Sequence, residues 1–212
     1  MYRKLIFLSL IFVLFAPPSW GGEKKGPPLD ITSDEVEYTK VKGKEVVIFT
    51  GHVVAIQETT TLKGDRLKFF PDENKAVAEG RAWMKDEKQK MVLTGERIEY
   101  YHDKRYGMAT GSPRLVSEKE NFILTSKEME AFFPEDRFRA TGRVKLVRDD
   151  MVATGKVLDY FNKERKVILT GDPQIREKEN FITGDKITFF VDEYRVIVED
   201  RARIKFIPEG KE

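Results

Sequence analysis

The chain has 212 residues, of which 40% are hydrophobic and 35% charged, and it contains no cysteine. This length predicts one domain or at most two, and the lack of cysteine excludes disulfide bonds, thiolate metal sites and an acylated N-terminal cysteine. Lys and Arg number 38 against 36 Asp and Glu, and the net charge is +2. Such an even mixture argues against a nucleic-acid-binding protein, which needs clustered basic residues.

Residues 1–21 are typical of a secretory signal peptide. Arg3 and Lys4 precede an apolar run at 5–15, and a Pro-Pro pair and Gly21 follow it. The run of about 11 residues is too short to cross about 30 Å of hydrocarbon as a helix. We therefore expect cleavage near Gly21, and a flexible segment at 22–27 before the folded domain. Retention of the run as a membrane anchor is the alternative.

Residues 28–208 consist of six copies of a unit of about 30 residues, each with two small-residue turns. The first series of turns is Thr32-Ser33-Asp34, Lys63-Gly64-Asp65, Thr94-Gly95-Glu96, Thr125-Ser126-Lys127, Thr154-Gly155-Lys156 and Thr183-Gly184-Asp185. The second series is Thr50-Gly51, Glu79-Gly80, Thr110-Gly111, Thr141-Gly142, Thr170-Gly171 and Glu199-Asp200. A short repeated unit predicts stacked supersecondary pieces in one domain, with a short tail at 209–212.

Apolar and polar residues alternate after each turn, as in Leu67-Lys68-Phe69 and Ile98-Glu99-Tyr100. This period of two predicts half-buried strands, and no window has the 3.6-residue period of a helix. Polar segments such as 71–74 and 162–164 predict the turns between strands. The chain is therefore predicted to be all-β, with strands of about 5–8 residues.

Aromatic doublets recur in five copies, and one member of each doublet is predicted to point inward and the other outward. The doublets are Phe69-Phe70, Tyr100-Tyr101, Phe132-Phe133, Tyr160-Phe161 and Phe189-Phe190. The middle doublet is shifted by one residue, which predicts a local bulge in copy four. The inward members either pack a core or line a ligand groove, and alternation alone does not separate these two possibilities.

Residues suited to catalysis or metal binding are few. His52 and His102 have no second ligand at metal-binding spacing and are interpreted as solvent-facing turn residues. The carboxylates of Asp65, Glu96 and Asp185 recur at one repeat slot, which favours turn capping over a glycosidase pair. Nucleophile-elbow and phosphate-loop motifs are absent from the sequence. We predict no enzyme activity, no metal site and no cofactor.

Three segments resemble a known family. Residues 29–35 (LDITSDE) resemble the start of the OstA-like domain of the LptA family, and 47–54 (VIFTGHVV) and 182–190 (ITGDKITFF) continue the likeness. The resemblance covers residues 28–208. It implies an antiparallel β-jellyroll made of two facing, twisted sheets in a V shape with open ends. It also implies an apolar interior that holds lipid acyl chains.

The resemblance further implies a periplasmic protein that carries lipopolysaccharide (LPS) from the inner to the outer membrane. Its expected partners are LPS, further copies of itself joined head to tail, and LptC-like and LptD-like proteins that pair with its edge strands. Nucleic acid is not an expected partner. The residues assigned by repeat slot to the lipid-binding inner wall are Leu29, Ile31, Phe49, Leu62, Leu67, Phe69, Leu93, Ile98, Tyr100, Ile187 and Phe189.

Two alternatives remain open at the level of sequence. A membrane-tethered, LptC-like subunit of the same machine would retain the N-terminal apolar run. A structural repeat scaffold that binds no lipid would have a fully packed interior.

Overall fold

This computed structural model describes residues 28–193 and 195–207, so the expected signal peptide, the 22–27 segment and the 209–212 tail lie outside the described residues. Within them the regular elements are strands and one 3-10 turn at Pro71–Glu73, which confirms the all-β prediction. The strands are β1 (Leu29–Thr32), β2 (Glu35–Val41), β3 (Lys44–Gln57), β4 (Thr60–Phe70), β5 (Lys75–Asp86), β6 (Met91–Tyr101), β7 (Tyr106–Thr110), β8 (Arg114–Ser117), β9 (Phe122–Thr125), β10 (Glu128–Phe132), β11 (Arg137–Arg148), β12 (Met151–Phe161), β13 (Lys166–Thr170), β14 (Gln174–Glu177), β15 (Asn180–Thr183), β16 (Lys186–Phe190), β17 (Arg195–Glu199) and β18 (Arg203–Lys205).

The strands form two facing antiparallel sheets, as the jellyroll prediction requires. Sheet 1 has the order β2-β3-β4-β5-β6-β7-β10-β11-β12-β13-β16-β17. Sheet 2 has the order β1-β3-β4-β5-β6-β8-β9-β11-β12-β14-β15-β18. Six strands belong to both sheets, because each passes from one into the other. Among the described strands, β2 and β17 are the edges of sheet 1, and β1 and β18 are the edges of sheet 2.

The Thr-Gly turns of the sequence are corners that do not reverse the chain. Some lie inside long strands, as at Thr50-Gly51, and others join two short strands of different sheets, as Thr110-Gly111 joins β7 and β8. β3 is one strand of 14 residues that bends at Gly51 and His52, where φ is +77° and +45°. Its pairing with β4 shifts between Thr50 and Val53 and then resumes. Similar bulges bend β4, β5 and β11. The predicted strand length of about 5–8 residues is therefore wrong for these strands, because a bulge bends a strand while its hydrogen-bonded ladder continues on both sides.

Acidic side chains from the first series of turns lie over several corner glycines. A Cβ added to Gly80 would lie 2.5 Å from Oδ2 of Asp65. The Asp65 carboxylate also accepts a hydrogen bond from the Arg81 guanidinium at 2.5 Å, and Asp185 binds Arg201 in the same way. Asp65 and Asp185 therefore contact the corners of strands, and their predicted role in stabilising the fold stays a prediction.

The shifted aromatic doublet of copy four does not produce a bulge. β10 pairs in unbroken register with both β7 and β11. Ala131 occupies the inward slot that holds Phe or Tyr in the other copies, and Phe133 follows the end of the strand. Its ring lies 3.8 Å from the place where Gly107 would carry a Cβ. The bulge prediction was wrong because the shift moves the aromatic ring into the turn and leaves the ladder intact.

Candidate functional site: an interior trough

The inner faces of the two sheets form an apolar trough whose floor is the line of corners. Since residues paired across antiparallel strands share a face, the register defines continuous rows along the trough. The central row of sheet 2 is Ile31, Ala55, Leu62, Met84, Leu93, Leu115, Leu124, Leu146, Ala153, Ile175, Ile182 and Ile204. The facing row of sheet 1 is Val36, Phe49, Leu67, Ala78, Ile98, Ala109, Met129, Ala140, Leu158, Leu169, Ile187 and Val198. Neither row contains a polar residue.

The N-terminal half of the trough is packed. Leu62, Leu67 and Ile98 are only 4%, 4% and 7% exposed, and Phe49 and Leu93 pack against the same cluster. These five predicted wall residues therefore contact other side chains of the core.

Polar side chains are buried at the mouth of this packed half. Asp86 and Ser117 are buried on the mouth-side row of sheet 2. The Asp86 carboxylate accepts a hydrogen bond from the backbone N–H of Gln89 at 2.9 Å, and the Ser117 hydroxyl accepts one from the backbone N–H of Glu120 at 3.2 Å. The hairpin backbone thus satisfies these polar groups, which lets them be buried at low cost.

The C-terminal half of the trough contains a cavity of about 680 Å³. Leu146, Leu158, Leu169 and Ile187 form part of its wall, and it extends to Val196 on the edge strand β17. The volume lies within the range of about 300–1,000 Å³ that is usual for ligand sites. This half of the trough therefore has room for an apolar ligand.

The mouth of the cavity is polar and carries charges of both signs. Lys119, Glu120, Arg148 and Glu177 lie there, at the hairpin end of sheet 2. Burial raises the pKa of Glu120, while the charges of Lys119 and Arg148 act in the opposite direction. A ligand in the cavity would thus meet apolar side chains inside and charged groups at the mouth.

The predicted wall residues all lie on the inner faces, but they occupy three different environments. Ile187 and Phe189 line the cavity. Leu29 and Ile31 lie on the edge strand β1, where Leu29 is 36% exposed. The remaining predicted residues lie in the packed half or beside its mouth, including the half-buried Phe69 and Tyr100.

Most of the cavity wall was missed by sequence reasoning. The missed residues are Leu146, Met151, Ala153, Leu158, Val167, Leu169, Ile175, Ile182 and Val196. Their alternation with polar residues was visible in the sequence, but only the register across strands brings them together.

The two histidines have different surroundings. His52 is exposed as predicted, and its Nδ1 lies 2.8 Å from the Asp34 carboxylate. His102 also lies in a turn, but it is half-buried with its ring edge-on to Tyr100 at 6.4 Å, and its buried Nδ1 has no hydrogen-bond partner. The prediction that His102 faces solvent was wrong, because the turn folds over the aromatic rings at the mouth.

In residues 28–193 and 195–207, no three potential ligands are grouped closely enough to hold a metal ion. The same part of the chain contains no helix with the length and apolar character needed to span a membrane.

A family model described as LptA/(LptD N-terminal domain) LPS transport protein matches residues 30–132 and 115–195. The two overlapping stretches together cover more than half of the chain. The chain belongs to this family.

Membership in the LptA/LptD N-terminal family confirms the predicted resemblance and identifies an LPS transport protein rather than a member of an enzyme family. No curated protein sequence matches the chain. Among solved structures, it is similar to LptH of Pseudomonas aeruginosa, described as the LptA-homologous periplasmic component of the LPS transport device. The identity is 15%, the alignment covers 86% of this chain and 96% of LptH, and the TM-score is 0.26.

Proposed function

We propose that this protein is a periplasmic carrier that moves LPS from the inner to the outer membrane and holds its acyl chains in the interior trough. The observation that carries this proposal is the cavity of about 680 Å³ between two uninterrupted apolar rows. Moving an acyl chain from water to such a wall is favourable by about 0.8 kcal/mol for each buried CH₂ group. The carrier needs no catalytic group, because binding and release alone accomplish transport.

We also propose that copies join head to tail, and that LptC-like and LptD-like proteins use the same edges. Because strands alternate in direction across each sheet, β1 and β18 run in opposite directions, and so do β2 and β17. The β1 strand of a second copy beside β18 would therefore extend sheet 2 as an antiparallel ladder. A second β2 beside β17 would extend sheet 1 in the same way, which is the pairing expected of open edge strands.

Side chains at the two ends support this arrangement. Tyr38 and Ile204 are 62% and 65% exposed, and pairing between copies would bury them. If the central row of sheet 2 continues from one copy into the next, Ile204 lies opposite Ile31 of the neighbour. Lys205 then lies opposite Asp30, which places opposite charges together on the outer face.

Photo-crosslinking in cells that make LPS tests the trough. A photoreactive phenylalanine analogue is placed at Phe189, which lines the cavity, or at Phe190, its outward neighbour in the same doublet. Crosslinks to LPS from position 189 but not from position 190 are the expected result. Crosslinks to protein alone at both positions would instead favour a structural scaffold. The packed N-terminal half of the trough is the observation that supports this alternative.

N-terminal sequencing of the mature protein tests cleavage near Gly21 and therefore release into the periplasm.

A further inference from the structure

The outer face of sheet 2 carries cations without matching acids, although the chain as a whole is nearly neutral. The register places the following cations outward on its strands: Lys63, Lys85, Arg114, Lys145, Arg176, Arg203 and Lys205. In the described strands of this sheet, Asp30 is the outward acid. The face is therefore strongly basic.

The outer face of sheet 1 is different, because most of its cations are paired. Lys68 binds Glu79 at 2.7 Å, and other cations lie against outward aromatic rings, such as Arg137 at 4.3 Å from the ring centre of Phe132. The outward members of these doublets thus lie against side chains of the neighbouring strand.

On sheet 2, the described residues supply no ion-pair partner for Arg114, Lys145, Arg176, Arg203 or Lys205. Lys85 binds Glu87 of the adjacent hairpin at 2.6 Å. Unpaired cations on one face attract an anionic partner.

The cations recur at a regular interval along the sheet. From β5 onward they lie on β5, β8, β11, β14 and β18, and each of these strands is separated from the next by one strand, while Lys63 lies on the adjacent β4. The cations occupy two neighbouring rows of the register, with Lys63, Arg114, Lys145 and Arg203 in one and Lys85, Arg176 and Lys205 in the other. Neighbouring strands are about 4.8 Å apart, so the interval is about 10 Å and the ladder is about 40 Å long. A ligand that matches this ladder carries an anionic group at a similar interval along an extended chain.

Outward aromatic rings accompany the cations at two places. Lys63 lies 5.0 Å from the centre of the Trp83 ring. Phe181 lies with Arg176 and Lys205 in a surface hollow of about 430 Å³, whose lining also includes the hairpin residues Lys178 and Glu179. Aromatic rings pack well against the apolar faces of sugars, and cations beside them bind acidic substituents.

We propose that the outer face of sheet 2 binds an extended glycan that carries one acidic group on every second sugar. Such a chain can follow the face as the sheet twists by about 20–25° for each strand, whereas a planar membrane would touch only a few strands. The length of the ladder also favours a linear ligand over a compact acidic protein, which would need a local patch. This inference is independent of lipid transport, because the trough lies on the opposite side of the sheet.

Hyaluronan oligosaccharides test the proposal, because they carry one carboxylate for each disaccharide. Neutral chitin oligosaccharides of equal length are the uncharged control. The double variant Arg114→Glu/Lys145→Glu reverses two central cations. The variant Lys42→Glu/Lys163→Glu makes the same change in net charge at exposed positions away from the face, and thermal unfolding checks that both variants fold. The wild type should bind hyaluronan with an affinity that falls as salt rises, and it should not bind chitin.

The central double variant should lose at least about tenfold in affinity, while the control variant stays within about twofold. Equal losses in the two variants, absence of hyaluronan binding, or tighter binding to anionic phospholipid vesicles than to hyaluronan would each overturn the proposal. Equal affinity for polyphosphate, whose charges are more closely spaced, would overturn the match in spacing on which the proposal depends.

Discussion

The ring of Phe133 lies edge-on to the ring of Tyr100, with centroids 6.0 Å apart and an interplanar angle of 73°. Tyr100 is on β6 and Phe133 follows β10, so the contact passes over β7, where Gly107 has no side chain to obstruct it. The shifted aromatic residue of copy four, Phe133, therefore packs over Gly107 and against Tyr100.

Replacing Phe133 with Ala should destabilise the protein by about 3–5 kcal/mol, because it leaves a cavity over Gly107 that neighbouring side chains cannot fill. Phe132→Ala is the matched control, since Phe132 is the outward, half-buried member of the same doublet. Chemical unfolding measures both changes. A loss for Phe132→Ala as large as that for Phe133→Ala would contradict the proposed importance of the inward contact.

The alternation in the sequence was sufficient to predict which side chains face the interior, because the period of two in a strand directly determines the face. It did not predict that Leu67 is packed whereas Ile187 borders a cavity. The two occupy the same repeat slot and are both buried, at 4% and 1% exposed, but of the two only Ile187 lies on the wall of the described cavity.

The charge distribution was also hidden in the sequence. Glu79 and Glu99 pair with cations on sheet 1, whereas Arg114 and Lys145 lie outward on sheet 2. The nearly neutral net charge does not reveal that paired charges lie on sheet 1 and unpaired cations on sheet 2. That separation depends on the sheet to which each half of a bent strand belongs.

The corner at Gly80 predicts a difference between two glycine substitutions. Gly80→Ala brings a Cβ to within 2.5 Å of the Asp65 carboxylate and also strains a residue at φ +72°. Gly43→Ala has a similar strain, at φ +80°, but nothing lies within 4 Å of the added carbon. Both variants should be less stable than the wild type in thermal unfolding, and Gly80→Ala should be the less stable of the two. Equal losses would show that Asp65 moves aside freely and does not hold the corner.

The buried carboxylate of Glu99 predicts a loss of stability in acid. Burial raises its pKa, but hydrogen bonds from Arg97, Lys75 and Tyr101 outweigh that effect and lower the pKa to about 2. Its pKa in the unfolded chain is about 4.3, so the stabilisation is fully present above that pH and is lost as the pH falls towards 2. The loss should be up to about 3 kcal/mol, at 1.36 kcal/mol for each pKa unit.

Glu99→Gln should therefore be less stable than the wild type at pH 7 and should lose less stability between pH 5 and pH 2. Urea unfolding at a series of pH values measures the difference. Parallel curves for the two proteins would show that Glu99 does not contribute to the acid sensitivity.

The proposed contact between copies predicts a specific disulfide. With Ile204 opposite Ile31 of the next copy, the variant Ile31→Cys/Ile204→Cys places two thiols on the same face of paired strands, and the chain has no other cysteine. Mild oxidation should then give a ladder of covalent oligomers on a non-reducing gel. Ile31→Cys/Lys205→Cys should give few, because consecutive residues of β18 point to opposite faces. Equal crosslinking in both variants would indicate random collision, and crosslinking in neither would exclude this register. A ladder from the first variant alone would show that the apolar row of sheet 2 continues from one copy into the next.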